Sequence, residues 1–295
     1  YLYSICSSCN TITKEPCDYD LKIADIDPEK RICKKEGCGE NLNLRKFIKP
    51  IFGFSTNNEK PEKPTLARPV STYNRKIYFH KYDENERNYQ EQVKYKDYEI
   101  NYSYSPRGNL FIVNKGLYSS GFRVCTWCGY STTEAVKGKK PHKDKYGNKC
   151  GNEYLSKLDL GHEIITDIIE VDIPNMTPDY GSDIYLSTLY ALMEGAAGYL
   201  GIDRREIDGC LNYTNRQSIP SFIIFDQVPG GAGHVKRIGK NLDKVIAEAK
   251  KRVEGVCGCG EETSCYGCLR NYSNQVHHDI LKRGLALEYI KALEN

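Results

Sequence analysis

Three features of the sequence predict an α/β (α+β) core carrying small zinc-ribbon-like modules. Cysteines recur in close pairs, Cys6/Cys9, Cys125/Cys128, Cys257/Cys259 and Cys265/Cys268. Apolar runs of strand length, such as Phe222–Phe225, alternate with stretches of helical spacing, such as Leu242–Val253. Tight glycine turns separate them, most visibly Pro229-Gly230-Gly231-Ala232-Gly233-His234.

At 295 residues the chain can bury a real core and exceeds the usual single-domain size. One main domain with metal-stapled modules is therefore expected. The chain opens on Tyr1 rather than Met and runs straight into a cysteine pair without a signal-like apolar stretch, so it reads as a piece of a longer protein. No apolar run approaches the length of a membrane span, and no membrane partner is expected. The net charge of +3 is too small to argue for nucleic acid by itself. Its distribution says more: Lys137, Lys139, Lys140, Lys143, Lys145 and Lys149 crowd one loop, either a phosphate-contacting surface or a solvated one. The 13 cysteines would suggest disulfides in a secreted chain. Pairs separated by two residues suit tetrahedral zinc instead, because a tight turn aims both thiolates at one ion. Zinc and a reducing cytoplasm are the expectation.

In chain order, residues 1–40 read as a zinc-ribbon-like module using Cys6, Cys9, Cys33 and Cys38, with Cys17 as the alternative to Cys33. Gly39 lets the chain turn closely beneath the metal. Four protein ligands leave no open position, so such a metal is a staple rather than a catalyst. Residues 41–120 read as a β-rich connecting region. Leu44, Phe47, Ile48, Pro50, Phe52 and Phe54 form a packing cluster, and the charged tract Asn57–Pro69 reads as a linker. Tyr98, Ile100, Tyr102 and Tyr104 alternate with polar residues as in a half-buried strand. Ser105-Pro106-Arg107-Gly108-Asn109 predicts a turn and Leu110–Val113 a returning strand. These tyrosines read as core filling, with base stacking as the other possibility.

Residues 121–155 read as a second zinc module built from Cys125, Cys128, His142 and Cys150. His142 is alternatively a surface histidine among lysines. A metal there would hold the lysine-rich loop rigid and suit it to phosphate contact.

Residues 156–295 read as the main α/β domain. Leu158–Pro174 predicts a buried strand marked by Ile164, Ile165, Ile168, Ile169, Val171 and Ile173. His162, Glu163 and Asp167 near its start are either metal or acid–base groups, or hydrogen-bonded strand-end residues. Asp183–Leu200 predicts a helix capped by Asp183 and stopped by Gly201. Asp203–Leu211 reads as a short polar segment, with Cys210 a buried thiol. The glycine turn after Asp226 gathers backbone N–H groups where an anion would bind. It fits neither GxxxxGK[ST] nor GxGxxG, so no nucleotide site is claimed. Leu242, Val245, Ile246, Ala249 and Val253 share one side of a helix over 241–253, and Val276–Leu293 predicts a closing helix.

Taken together, the Phe225–Val235 turn (FDQVPGGAGHV), the four cysteines Cys257, Cys259, Cys265 and Cys268, and CYGCLRNYSNQ at Cys265–Gln275 resemble the MrfA-like zinc-binding (MZB) domain. That domain forms the C-terminal region of superfamily 2 DEAD/DEAH-type helicases of the mitomycin repair factor A-like kind. LDLGHEIITDIIEV and RKFIKPIFGF also resemble the region before the domain, and the likeness is strong over residues 158–290 and looser before them. The resemblance implies that Cys257, Cys259, Cys265 and Cys268 are the family's zinc ligands. It implies a zinc-stapled accessory region of a larger ATP-driven helicase or translocase, with motor domains in the same parent chain. The contexts implied are DNA repair and phage defence. The sequence holds no phosphate-loop lysine motif and no DEAD or DEAH box, so it is not expected to be catalytic alone. Single-stranded or forked DNA is the expected partner, through Lys137, Lys139, Lys140, Lys143, Lys145, Arg270 and Asn271. The alternatives are a metal-dependent nuclease or hydrolase site around Asp226, His162 and Glu163, with Asp167 and His234 nearby, and a purely structural or interaction domain.

Overall fold

The structure, a computed structural model, describes residues 1–9, 11–18, 21–35, 37–49, 73–82, 89–117, 119–132, 136–172, 181–213 and 219–294. Pro50, Phe52, Phe54, the Asn57–Pro69 tract and Ile173 lie outside the described residues. The strands are β1 (Leu2–Ile5), β2 (Ile12–Glu15), β3 (Leu44–Ile48), β4 (Tyr73–Tyr82), β5 (Tyr89–Tyr95), β6 (Tyr98–Leu117), β7 (Phe122–Val124), β8 (Ser131–Thr132), β9 (Ser156–Asp172), β10 (Ile207–Asn212) and β11 (Ser221–Asp226). The helices are α1 (Ser182–Leu200), α2 (His234–Lys240), α3 (Leu242–Val253) and α4 (Arg283–Ala292). The mixed α/β class is as expected.

The chain divides into two compact units: Tyr1–Ser7, Thr11–Lys76 and Ile112–His162 form one, and Ser8–Asn10, Ile77–Phe111 and Glu163–Asn295 the other. In the first, β1 pairs antiparallel with β2 and with β3. β3 runs parallel to the start of β9, with Phe47 opposite Asp159. β7 pairs antiparallel with β8 and with the start of β9. Asp159, 1% exposed, ties this unit together. Its carboxylate accepts from the Tyr3 hydroxyl and from Arg45 Nε at 2.5 Å and Nη2 at 2.6 Å. The hydrogen bonds to the Asp159 carboxylate raise the Arg45 pKa, against the opposing effect of burial.

In the second unit, β10 pairs antiparallel with β11, and β11 with the end of β9. β11 is buried on both faces. Phe222 and Ile224 join the main core with Ile169, Val171, Leu189 and Met193. Ile223 and Phe225 join a smaller cluster with Leu110, Ile168 and Cys210. Burial on both faces explains an uninterrupted apolar run where a half-buried strand would alternate. Cys210 is buried, and desolvation pushes its thiol up to about 12.

Four local expectations are corrected. First, residues 105–109 do not turn: β6 continues through them. Its first part, Tyr98–Tyr104, pairs antiparallel with β5, joined through Lys96-Asp97 with Tyr95 opposite Tyr98. Gly108 serves close approach instead, since a Cβ there would fall 1.9 Å from Ile168 Cδ1. Second, Asp203–Leu211 contains β10, whose central Gly209 hid the strand pattern. Third, the closing helix begins at Arg283, because His278 and Asn274 hold residues 271–278 in hydrogen-bonded turns. Fourth, α1 is capped by Gly181, with Asp183 in its first turn; Gly201 ends it as expected. Within the Leu158–Pro174 run, Ile165 is 44% exposed rather than buried. Ile100, Tyr102 and Tyr104 are buried in the main core, the packing role expected of them.

α1 packs against α3, α4 and β10. Its closest approach is at Gly195, where a Cβ would stand 2.6 Å from Ala249 N and Val245 O. Backbone on both sides cannot move without separating the helices. Gly195→Ala is therefore expected to cost about 3 kcal/mol, read as a lower midpoint in urea unfolding. An unchanged midpoint would show that α1 and α3 do not pack closely.

Candidate metal centres

The first centre grows from two tight turns. One joins β1 to β2, where Cys6 N–H donates to Thr11 O at 3.0 Å. The other is closed by Cys33 N–H to Glu40 O at 2.8 Å and Cys38 N–H to Lys35 O at 3.0 Å. Each turn presents two sulfurs, and the ligand atoms of Cys6, Cys9, Cys33 and Cys38 all lie within 4.8 Å of one another. Cys17 lies outside this group and packs beside Leu2, Ile26 and Leu44.

The second centre repeats the device between β7 and β8, where Cys125 N–H donates to Tyr130 O at 2.8 Å and Gly129 N–H to Cys125 O at 3.0 Å. Cys125, Cys128, His142 and Cys150 converge. Cys150 N–H donates to His142 O at 3.0 Å. The His142 ring is buried and stacks on Tyr130. Its Nδ1–H donates to Lys140 O at 2.9 Å. That bond selects the tautomer with a lone pair on Nε2, a buried atom that has no hydrogen-bond partner. A buried, unsatisfied nitrogen beside three thiols fits a metal ligand better than a surface histidine.

The third centre follows α3. Cys257 and Cys259 Sγ lie 3.4 Å apart, Cys259 and Cys268 3.7 Å, and Cys265 and Cys268 3.8 Å. Cys265 N–H donates to Cys268 Sγ at 3.1 Å and Gly267 N–H to Cys265 Sγ at 3.3 Å. Arg283, largely buried, braces this knot: its Nε donates to Cys259 O at 2.9 Å and its Nη1 to Val253 O at 3.1 Å. Nothing in the sequence marks Arg283, because its hydrogen-bond partners here are backbone carbonyls and its ion-pair partner, Glu261, lies 22 residues away.

Zinc–sulfur bonds of about 2.3 Å place the sulfurs of a tetrahedron about 3.8 Å apart. The observed separations, including 3.5 Å for Cys6/Cys38 and 3.8 Å for Cys125/Cys150, match that spacing. A disulfide would need about 2.05 Å, and all 13 cysteines are free. The three clusters are suited to zinc as a structural cofactor.

The carboxylates and histidines of the hydrolase alternative are arranged differently. Asp226 is fully buried, and its carboxylate accepts from the N–H groups of Ala232 at 2.6 Å, His234 at 3.1 Å and Val235 at 3.1 Å. The glycine turn does gather N–H groups around an anion, and the anion is the protein's own. His234 Nε2 lies 2.9 Å from Glu206 Oε2. Burial, then the Asp226 charge, push the Asp167 carboxyl above the usual range. His162 is exposed and Glu163 half-buried. Among the described residues, the three cysteine clusters are the groups of three or more His, Cys, Asp or Glu that converge as metal sites.

The expected nucleic-acid residues divide into two sets. Lys137, Lys139, Lys143, Lys145 and Lys149 are exposed around the second centre, and Lys140 is half-buried. Arg270 is engaged internally, donating to Ser264 Oγ at 3.0 Å and His278 O at 3.0 Å. Asn271 Oδ1 accepts from the N–H groups of Ser273 and Asn274, both at 3.0 Å. Among the described residues no helix is long and apolar enough to cross a membrane.

A two-faced strand, a carboxylate-filled glycine turn and a four-cysteine knot packed under three helices define a zinc-binding α/β domain. Residues 188–269 match the family model described as MZB: MrfA Zn-binding domain. Druantia protein DruE of Escherichia coli (strain UMEA 4076-1) is 29% identical over 213 residues, 62% of this chain and 11% of that protein. Among solved structures, DUF1998 helicase MrfA bound to DNA aligns over 77% of this chain and 26% of that chain, at 15% identity and a TM-score of 0.38. The same helicase bound to DNA and AMPPNP aligns over 76% and 23%, at 11% identity and a TM-score of 0.32.

Proposed function

We propose that this chain is a zinc-stapled accessory region of a DNA helicase or translocase, acting beside motor domains of the same parent protein. Its role is to hold single-stranded or forked DNA. Zinc is held at three sites: by Cys6, Cys9, Cys33 and Cys38; by Cys125, Cys128, His142 and Cys150; and by Cys257, Cys259, Cys265 and Cys268. DNA repair and phage defence are the settings that the names MrfA and Druantia suggest. The observation that carries the proposal is the family match at residues 188–269, which runs from α1 into the cysteine knot. For the DNA contact, support comes from the exposed lysines around the second centre. A metal-clamped loop presents ammonium groups to phosphates with little conformational freedom left to lose. Arg270 and Asn271 act in this proposal as braces of the knot.

Binding should fall steeply with salt, because neutralised phosphates release counterions. Replacing Lys137, Lys139, Lys143 and Lys145 by Gln should flatten the slope of log affinity against log salt, by about 0.7 for each single-strand phosphate that is no longer neutralised. Fluorescence anisotropy with single-stranded and forked oligonucleotides measures both quantities. Absence of salt-sensitive binding by the unsubstituted chain would refute the proposal.

A further inference from the structure

Within the first unit lies an open groove of about 570 Å³ that the sequence did not announce. Its lining includes Lys22 and Ile23 from the segment after β2, Lys46 of β3, and Asn152, Tyr154 and Lys157 from the end of the second zinc module and the start of β9. Three lysines, Lys22, Lys46 and Lys157, are among its lining residues, and no carboxylate is among the described lining residues. Tyr154 is 61% exposed, a large ring that folding has not buried. The ring is nevertheless held in place. Tyr154 N–H donates to Asn152 Oδ1 at 3.0 Å, its backbone bridges to Lys139, and Lys139 Nζ lies 5.8 Å from the ring centroid.

An exposed, positioned aromatic ring beside several cations, in a groove rather than on a flat face, matches a single-stranded nucleic acid. A base stacks on the ring while the flanking phosphates meet the lysines. A duplex offers no free base face, and an acidic peptide makes no use of the ring. We propose that this groove takes a single-stranded segment, with one base on Tyr154 and its phosphates against Lys22, Lys46 and Lys157. The inference rests on the DNA-handling role above and adds a residue-level site for it, adjoining the Lys137–Lys145 loop at Lys139.

The test uses the full zinc-loaded chain and two labelled probes of equal length: oligo(dT), and an abasic oligonucleotide with the same phosphates and no bases. Tyr154→Ala should weaken oligo(dT) binding about tenfold and leave the abasic probe unaffected, because only stacking is removed. Tyr154→Trp should retain or raise oligo(dT) affinity. The combined Lys22→Gln, Lys46→Gln and Lys157→Gln variant should weaken both probes and lower the salt slope by about 2. Zinc content and melting temperature of each variant confirm that the fold is intact. Wild-type binding that survives all these changes would overturn the groove and leave the accessory role standing. Equal wild-type affinity for oligo(dT) and the abasic probe would overturn stacking and point to any polyanion, an acidic peptide included. A wild-type chain that binds neither probe would overturn both proposals together.

Discussion

Cys268→Ala is expected to release one of three zinc equivalents and to unfold the helical part of the second unit. Cys268 is 1% exposed, and with Leu269 it belongs to the same core as residues of α1, α3 and α4. Structural zinc contributes on the order of 10 kcal/mol or more to folding, comparable to the roughly 5–15 kcal/mol that holds a whole domain together. Removing one thiolate therefore removes more than the domain can spare. Of the remaining sulfurs, those of Cys257 and Cys259, 3.4 Å apart, would also be left without the ion that offsets their mutual repulsion. Metal released to a colorimetric chelator, alongside far-UV circular dichroism, reads both consequences. Retention of three equivalents, or two with undiminished helicity, would show that this knot is not a zinc site on which folding depends.

Asp226→Ala is the second large effect, expected to cost about 4 kcal/mol in urea unfolding. The carboxylate is fully buried and accepts three backbone N–H groups from the turn and first residues of α2. Alanine leaves those donors without partners in a space closed to water, and charge-assisted bonds are the strong ones. Asparagine keeps one acceptor oxygen and should recover part of the loss. A catalytic Asp226 predicts the opposite pattern, in which Asp226→Ala keeps its stability and loses magnesium- or manganese-dependent cleavage. Stability unchanged within about 1 kcal/mol would make Asp226 a candidate acid again.

How far the sequence could be read depended on whether a residue's partner was near in the chain or far from it. The apolar stripe Leu242, Val245, Ile246, Ala249 and Val253 is the buried face of α3, because helical spacing alone defines that face. The cysteine pairs are legible from their short spacing, whereas the convergence of Cys33, rather than Cys17, with Cys6, Cys9 and Cys38 depends on the second turn. Proline, arginine, glycine and asparagine at 106–109 imitate a turn, while Gly108 in fact answers Ile168, sixty residues away, which local pattern cannot convey. Arg45–Asp159, Arg283 and the Tyr154 groove stayed hidden for the same reason: each is assembled from distant segments or from backbone carbonyls. Asp226 was visible as a candidate, but its role depended on which way the following N–H groups point.

Because Cys268 and Leu269 share a core with the surrounding helices, the knot is not a detachable ornament. A cell that runs short of zinc would not merely carry an emptied version of this protein. It would carry unfolded chain exposed to proteases, so the steady-state amount would follow the metal quota rather than the rate of synthesis alone. Any activity that depends on this region would then be rationed by zinc supply.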